Sequence, residues 1–109
     1  VYGEADQTEY VDEEMGYKIQ WLVPESNEND MEPIILTLEK NGAFKQFEPS
    51  LAETFAYIFE GEIEVRLGRK SFFAKAGESI YYHASDDHQI LNHYDGKSKL
   101  LLVATDSYL

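Results

Sequence analysis

Between residues 54 and 106 the sequence falls into six short stretches rich in β-branched and aromatic side chains: "TFAYIFE", "EIEVRL", "SFFAKA", "SIYYHA", "HQILNHY" and "SKLLLVATD". Gly61, "GRK", Gly77, "SDD" and "DGK" separate them. Strands this short, punctuated this regularly, pair antiparallel with their neighbours and close into a sandwich or barrel. Upstream, "YKIQWLV" (17–23) and "IILTLEK" (34–40) read as two further strands. The loop "PESNENDMEP" joins them, and Asn41-Gly42 turns the chain after the second. No stretch has the apolar spacing of an amphipathic helix, and no internal repeat is visible. The expected class is all-β.

Alternation along each strand assigns the faces. Ile63, Val65 and Leu67 share one face, with Glu62, Glu64 and Arg66 on the other, so that strand is half buried. Residues 54–60 differ, being apolar on both sides: Thr54, Ala56 and Ile58 on one, Phe55, Tyr57 and Phe59 on the other. Such a strand needs two covers. One is the domain's own interior. The other is either a second subunit or the strand carrying Ile19, Trp21 and Val23. Phe55, Tyr57 and Phe59 are therefore the candidate dimer interface, since a two-fold pair buries a self-complementary aromatic patch.

A chain of 109 residues fits one domain. Residues 1–15, "VYGEADQTEYVDEEM", are acidic and weakly patterned, and are expected to be an arm or linker before a single domain at 16–109. They form no targeting signal, and the absence of an initiator Met suits a fragment or a processed product of a longer chain. Cysteine is absent, which removes disulfides and thiolate chemistry and suits the cytoplasm. No apolar run approaches the roughly 20 residues that cross a membrane. Nine basic residues stand against 21 acidic ones, a formal charge of −12, with no basic stripe. Nucleic acid would be repelled by this chain on its own.

Gly61, Gly77 and the stretch His88-Gln-Ile-Leu-Asn92 resemble the two-motif pattern of the cupins, small double-stranded β-barrels of jelly-roll type. The second cupin motif ends in a glycine after proline, a strand, and H-x-x-x-N. Lys75-Ala76-Gly77 lacks the proline, whereas His88 and Asn92 keep the ending. The first motif supplies two histidines, a glutamate, and a glycine seven residues beyond it. Here the residue seven before Gly61 is Thr54, Glu53 faces the opposite way, and the histidine places around Phe47 to Ser50 hold no histidine. From about Tyr17 onward, "YKIQWLVP", "MEPIILTLEKNG", "YIFEGEIEVRLG" and "AGESIYYHASDDHQILN" resemble the C-terminal cupin domains of Xre-type helix-turn-helix transcriptional regulators. That resemblance implies a sensor that binds a small-molecule effector and forms a homodimer. DNA would be bound only through an N-terminal helix-turn-helix domain, which these residues do not contain.

A metal centre needs three or four converging donors. Of the three histidines, the resemblance places His88 inward, His93 has the opposite parity, and His83 lies across a turn. Glu48 and Glu53 read as solvated loop carboxylates. Ser85, flanked by His83 and Asp87, reads as a turn residue and not as a nucleophile. The expectation is no metal, no cofactor and no enzyme activity. Thr54, Ala56 and Ile58 from one strand and His88, Ile90 and Asn92 from another are the candidate ligand pocket, apolar walls with a few polar groups. Either Tyr81 or Tyr82 joins them, since parity alone does not choose. Two other readings stay open: a metal-dependent cupin enzyme of isomerase or dioxygenase type, and a purely structural dimerisation module with a filled barrel.

Overall fold

A computed structural model describes residues 1–24 and 29–105. Apart from one 3-10 turn, Glu4–Asp6, the described residues build two antiparallel sheets. The strands are β1 (Thr8–Asp12), β2 (Tyr17–Trp21), β3 (Glu32–Leu38), β4 (Glu53–Glu60), β5 (Glu62–Leu67), β6 (Lys70–Lys75), β7 (Ser79–His83), β8 (His88–Asn92) and β9 (Ser98–Ala104). The larger sheet runs β1-β2-β3-β9-β4-β7 and the smaller β6-β5-β8. No described helix is long and apolar enough to cross a membrane.

The six downstream strands stand where alternation and turn residues put them. Gly61 makes the β4–β5 turn with φ +81°, and a Cβ there would collide with Ser98 Oγ and the Lys97 carbonyl. Only glycine meets both demands. β3 starts two residues earlier than its apolar run and takes in Glu32 and Pro33. The Pro33 carbonyl accepts from Leu22 N, beyond the last β2–β3 pair, Trp21↔Ile34. The N–H that proline lacks is thus not needed by a ladder there.

The acidic arm is partly structured. Residues 8–12 form the edge strand β1, paired with β2 from Thr8↔Trp21 to Asp12↔Tyr17. Four of its five residues are exposed, so it carries no buried face to imprint an alternation on the sequence.

The core lies between the sheets. Rungs of the larger sheet, such as Ile34–Leu102–Ala56–Ile80 and Leu36–Leu100–Ile58, face Ile63, Val65 and Ile90 of the smaller one. Residues 43–47 run irregularly beside β8 through the bridges Ala43↔Leu91 and Phe47↔His88, and deliver the fully buried Phe44. From the edge strand inward, successive ring contacts join Tyr10, Tyr17, Phe44, Phe47 and His88 at centroid distances of 6.1, 5.0, 5.2 and 5.4 Å.

Of the two covers open to the outer face of β4, the strand bearing Ile19 and Trp21 is not one. β3 and β9 separate β2 from β4 in the same sheet, and Ile19 points into the core. Tyr57 and Phe59 stay 38% and 46% exposed in the single chain, with Tyr81 beside them.

Candidate functional site at the His88 end of the sandwich

β8 begins at His88, whose side chain turns inward and is only 9% exposed. Its Nδ1 lies 3.1 Å from the Asp86 carbonyl oxygen. A carbonyl only accepts, so Nδ1 carries a proton in that contact. Phe47 lies flat against the imidazole, 17° from parallel, and Tyr82 meets it at a steep angle with centroids 6.0 Å apart. The Lys45 ammonium sits 5.0 Å from the Phe47 centroid. Outside, a surface depression of about 480 Å³ reaches His88 past Gln46, Arg66, Arg69, Asp86 and Gln89.

The larger sheet presents a rung with polar ends, and its Tyr82 end meets His88. Register places Glu32, Ala104, Thr54 and Tyr82 side by side on β3, β9, β4 and β7. Glu32 is 3% exposed, and Trp21 Nε1 donates to its Oε1 at 2.6 Å. Burial pushes the Tyr82 phenol up to about 12, with the Thr54 hydroxyl beside it pulling weakly the other way.

The residues expected to form one pocket are spread over the barrel. Thr54 stands beside Tyr82 by register, and Tyr82 in turn meets the His88 ring. Ala56, Ile58 and Ile90 belong to the packed core one rung and more further in. Asn92 stands at the far end of β8, about 13 Å away at strand rise. Its amide donates to the carbonyls of Glu39 at 2.8 Å and Gly96 at 2.7 Å, and its Oδ1 accepts from Tyr94 N and Ser98 Oγ. A saturated amide has nothing to offer a ligand, so Asn92 organises the β8–β9 turn and is not a pocket wall. Glu32 and Phe47 are not among the residues expected here, and Tyr82 is one of the two tyrosines between which parity does not choose. Alternation through Ile34 and Leu36 extends back to Glu32, and the pairing Thr54↔Tyr82 resolves which tyrosine is inside.

The other ionisable groups lie elsewhere. Glu53 accepts from the Tyr81 hydroxyl at 2.6 Å and sits 3.9 Å from His83 Nε2, while Glu48 is exposed. His93 is edge-on to Phe73 at 4.9 Å. Glu64, on the outer face of β5, is covered by Arg66 and Ser71 side chains. The Arg66 bond first, and that from Ser71 to a lesser degree, hold its carboxyl below the usual range. Among the described residues no three His, Asp or Glu side chains converge as a metal site.

The family model for the Cupin domain matches residues 35–104, well over half of the chain. The chain belongs to the cupin family. Solved structures similar to this cupin include an HTH_3 family transcriptional regulator from Vibrio cholerae, at 15% identity and TM-score 0.76. The match covers 94% of this chain and 57% of the regulator, so the cupin spans little more than half of that protein's length. The Cupin_2 domain of an XRE family transcriptional regulator from Enterobacter cloacae matches at 10% identity and TM-score 0.73, covering 84% of this chain and 98% of that one. Hydroxypropylphosphonic acid epoxidase from S. wedmorenis matches at 19% identity and TM-score 0.77, covering 94% and 57%. These likenesses establish the fold, shared by regulators and enzymes. No curated protein matches the sequence.

Among the described residues, the donors that a metal-holding cupin gathers are not assembled around His88. Where the first cupin motif would place histidine near His88, Phe47 presents a ring face with no donor, and the opposing strand offers Thr54. Among the described residues one imidazole remains there, fewer donors than a held ion takes.

Proposed function

We propose that this cupin is the metal-independent, small-molecule-sensing and dimerising domain of a cytoplasmic helix-turn-helix transcriptional regulator, and not an enzyme. The observation that carries the reading is the stack of Phe47 on His88, which puts a hydrocarbon face where a catalytic cupin needs a ligand. The similarity to two regulator domains supports the regulatory context.

Dimerisation rests on the outer face of β4. Phe55, Tyr57 and Phe59 continue across β9 and β3 through Val103, Leu101 and Ile35 by register. On a chain of charge −12, an uncharged stripe is where two copies can meet without strong repulsion. Effector binding would then favour one of two paired arrangements and move the attached DNA-binding domains, which requires different affinity for the two states.

Metal analysis of protein purified without chelators tests the reading. Stoichiometric iron, manganese, nickel or zinc that disappears in His88→Ala would favour the enzyme instead. A metal-free protein with no melting-temperature response to any small metabolite would favour the purely structural module.

A further inference from the structure

The depression of about 480 Å³ outside His88 is framed by two segments of opposite charge. Arg66 and Arg69 come from the end of β5 and the turn after it, Asp86 and Asp87 from the loop before β8. Backbone fixes this frame: Gly68 N donates to the Asp87 carbonyl at 2.8 Å, and the pair Arg66↔Gln89 joins β5 to β8. Gly68 has φ +59°, and a Cβ there would stand 3.1 Å from the Asp86 carboxyl group, so the close approach of turn and loop needs glycine. Arg66 spends its Nε on Glu64. Among the described residues no ion pair engages Arg69, Asp86 or Asp87 through its side chain. Behind these exposed charges His88, nine-tenths buried, forms part of the wall, so whatever fills the hollow meets the ring stacked on Phe47.

We propose that this depression binds a small zwitterion of the amino-acid type, its carboxylate on Arg69 and Arg66 and its ammonium on Asp86 and Asp87. The inference rests on the receptor reading above; it names the ligand class and places it outside the packed barrel. Charge selects the class. A simple anion would meet two carboxylates and the field of a chain at −12, while a simple cation would meet two guanidiniums. A molecule carrying both signs answers both segments, and having no net charge it is not repelled by the chain as a whole. The planar fork of a guanidinium matches a carboxylate in particular. The volume lies within the roughly 300–1,000 Å³ of small-molecule sites. Gln89 and His88 complete the wall, and each touches the aromatic row inside: the Gln89 amide donates to the Phe44 carbonyl at 2.8 Å, and His88 stacks on Phe47. The ligand's remaining substituent lies against these two side chains, which is where occupancy bears on the core.

The experiment titrates the common amino acids, each beside the matched amine and the matched carboxylic acid that lack one of its two charges. Melting temperature and the imidazole proton resonances of the three histidines follow binding. His83→Gln and His93→Gln, both at exposed positions, assign the His88 signal by elimination. At least one amino acid should raise the melting temperature by about 2 °C or more and shift the His88 signal saturably, with those of His83 and His93 unmoved. Its matched amine and acid should do neither. Arg69→Gln, and Asp86→Asn combined with Asp87→Asn, should each weaken binding by about tenfold or more. Lys70→Gln, which removes the neighbouring cation outside the depression, should leave it unchanged. A matched amine or acid that binds as tightly as the amino acid would overturn the zwitterion. Amino-acid binding that leaves the His88 signal still and is unchanged in Arg69→Gln would overturn the placement and keep the receptor reading. Silence toward every amino acid would overturn the proposal; a response to other metabolites in the same assay would then keep the receptor reading, and silence there too would remove it.

Discussion

The Phe47 ring lies 5.4 Å from that of His88, centroid to centroid, and only 17° from parallel. The two come from bridged segments, 43–47 and β8, whose backbones exchange hydrogen bonds of 2.8 and 3.0 Å. Backbone pairing therefore fixes the stack, and the histidine's near neighbour is a face of carbon atoms. The proposed metal-independent reading rests on that contact. A ligand cluster would put donors there; this chain puts a ring.

Phe47→Ala removes that face and the edge contact to Phe44. Phe47 is half buried, so the expected loss is about 2–3 kcal/mol, below the full core value for such a truncation. Urea denaturation measures it. Phe47→His should give the native fold a second imidazole beside the first, with zinc or nickel then raising the melting temperature where the parent shows no change.

Asn92→Ala breaks the hydrogen bonds that tie β8 to the ends of β3 and β9. The expected destabilisation is about 1–3 kcal/mol, because the buried Ser98 hydroxyl and the part-buried Gly96 carbonyl lose their partner. A loss below about 0.5 kcal/mol, within the range of an ordinary surface change, would show that Asn92 does not organise the turn.

Tyr82 sets the alkaline limit. Its folded value of about 12 exceeds the ordinary 10.0, so the protonated phenol is the form that folding favours. The stability this contributes is complete below about pH 10 and is lost as pH rises toward 12. Denaturation midpoints across that window should fall less steeply in Tyr82→Phe than in the parent. Equal slopes would mean that Tyr82 is not buried as described.

Tyr57→Glu places a charge at the middle of the outer aromatic face. The dissociation constant of the proposed dimer should rise by about tenfold or more, with far-ultraviolet circular dichroism unchanged. Light scattering after gel filtration reads the mass. An unchanged dimer would move the interface elsewhere.

Most of the strand framework was legible because turn residues and alternation are local. β5 could be read in full from Glu62 to Leu67, with Ile63 and Val65 inside. The parity of Thr54, Ala56 and Ile58 likewise put them inward. What stayed hidden depends on partners distant in sequence. β1 has almost no buried face, so only its pairing with β2 makes it a strand. Glu32 looked like loop because a carboxylate beside proline seldom begins a central strand. Its 3% exposure follows from pairing with Ala104 and from the Trp21 bond. Asn92 was assigned to the cavity by parity, which gives the face of a side chain and not what its atoms bind. Phe47 was noted only as a place lacking histidine; that its ring fills the place is a tertiary fact.

The most direct test of the account is a divalent-metal titration of the metal-free protein alongside elemental analysis of protein purified without chelators. The account predicts less than about a tenth of an equivalent of any transition metal as purified. It also predicts a melting temperature indifferent to iron, manganese, nickel and zinc, in the parent and in His88→Ala alike, because one imidazole under a phenyl ring does not hold an ion. One equivalent of bound metal that stabilises the parent and is lost in His88→Ala would contradict it.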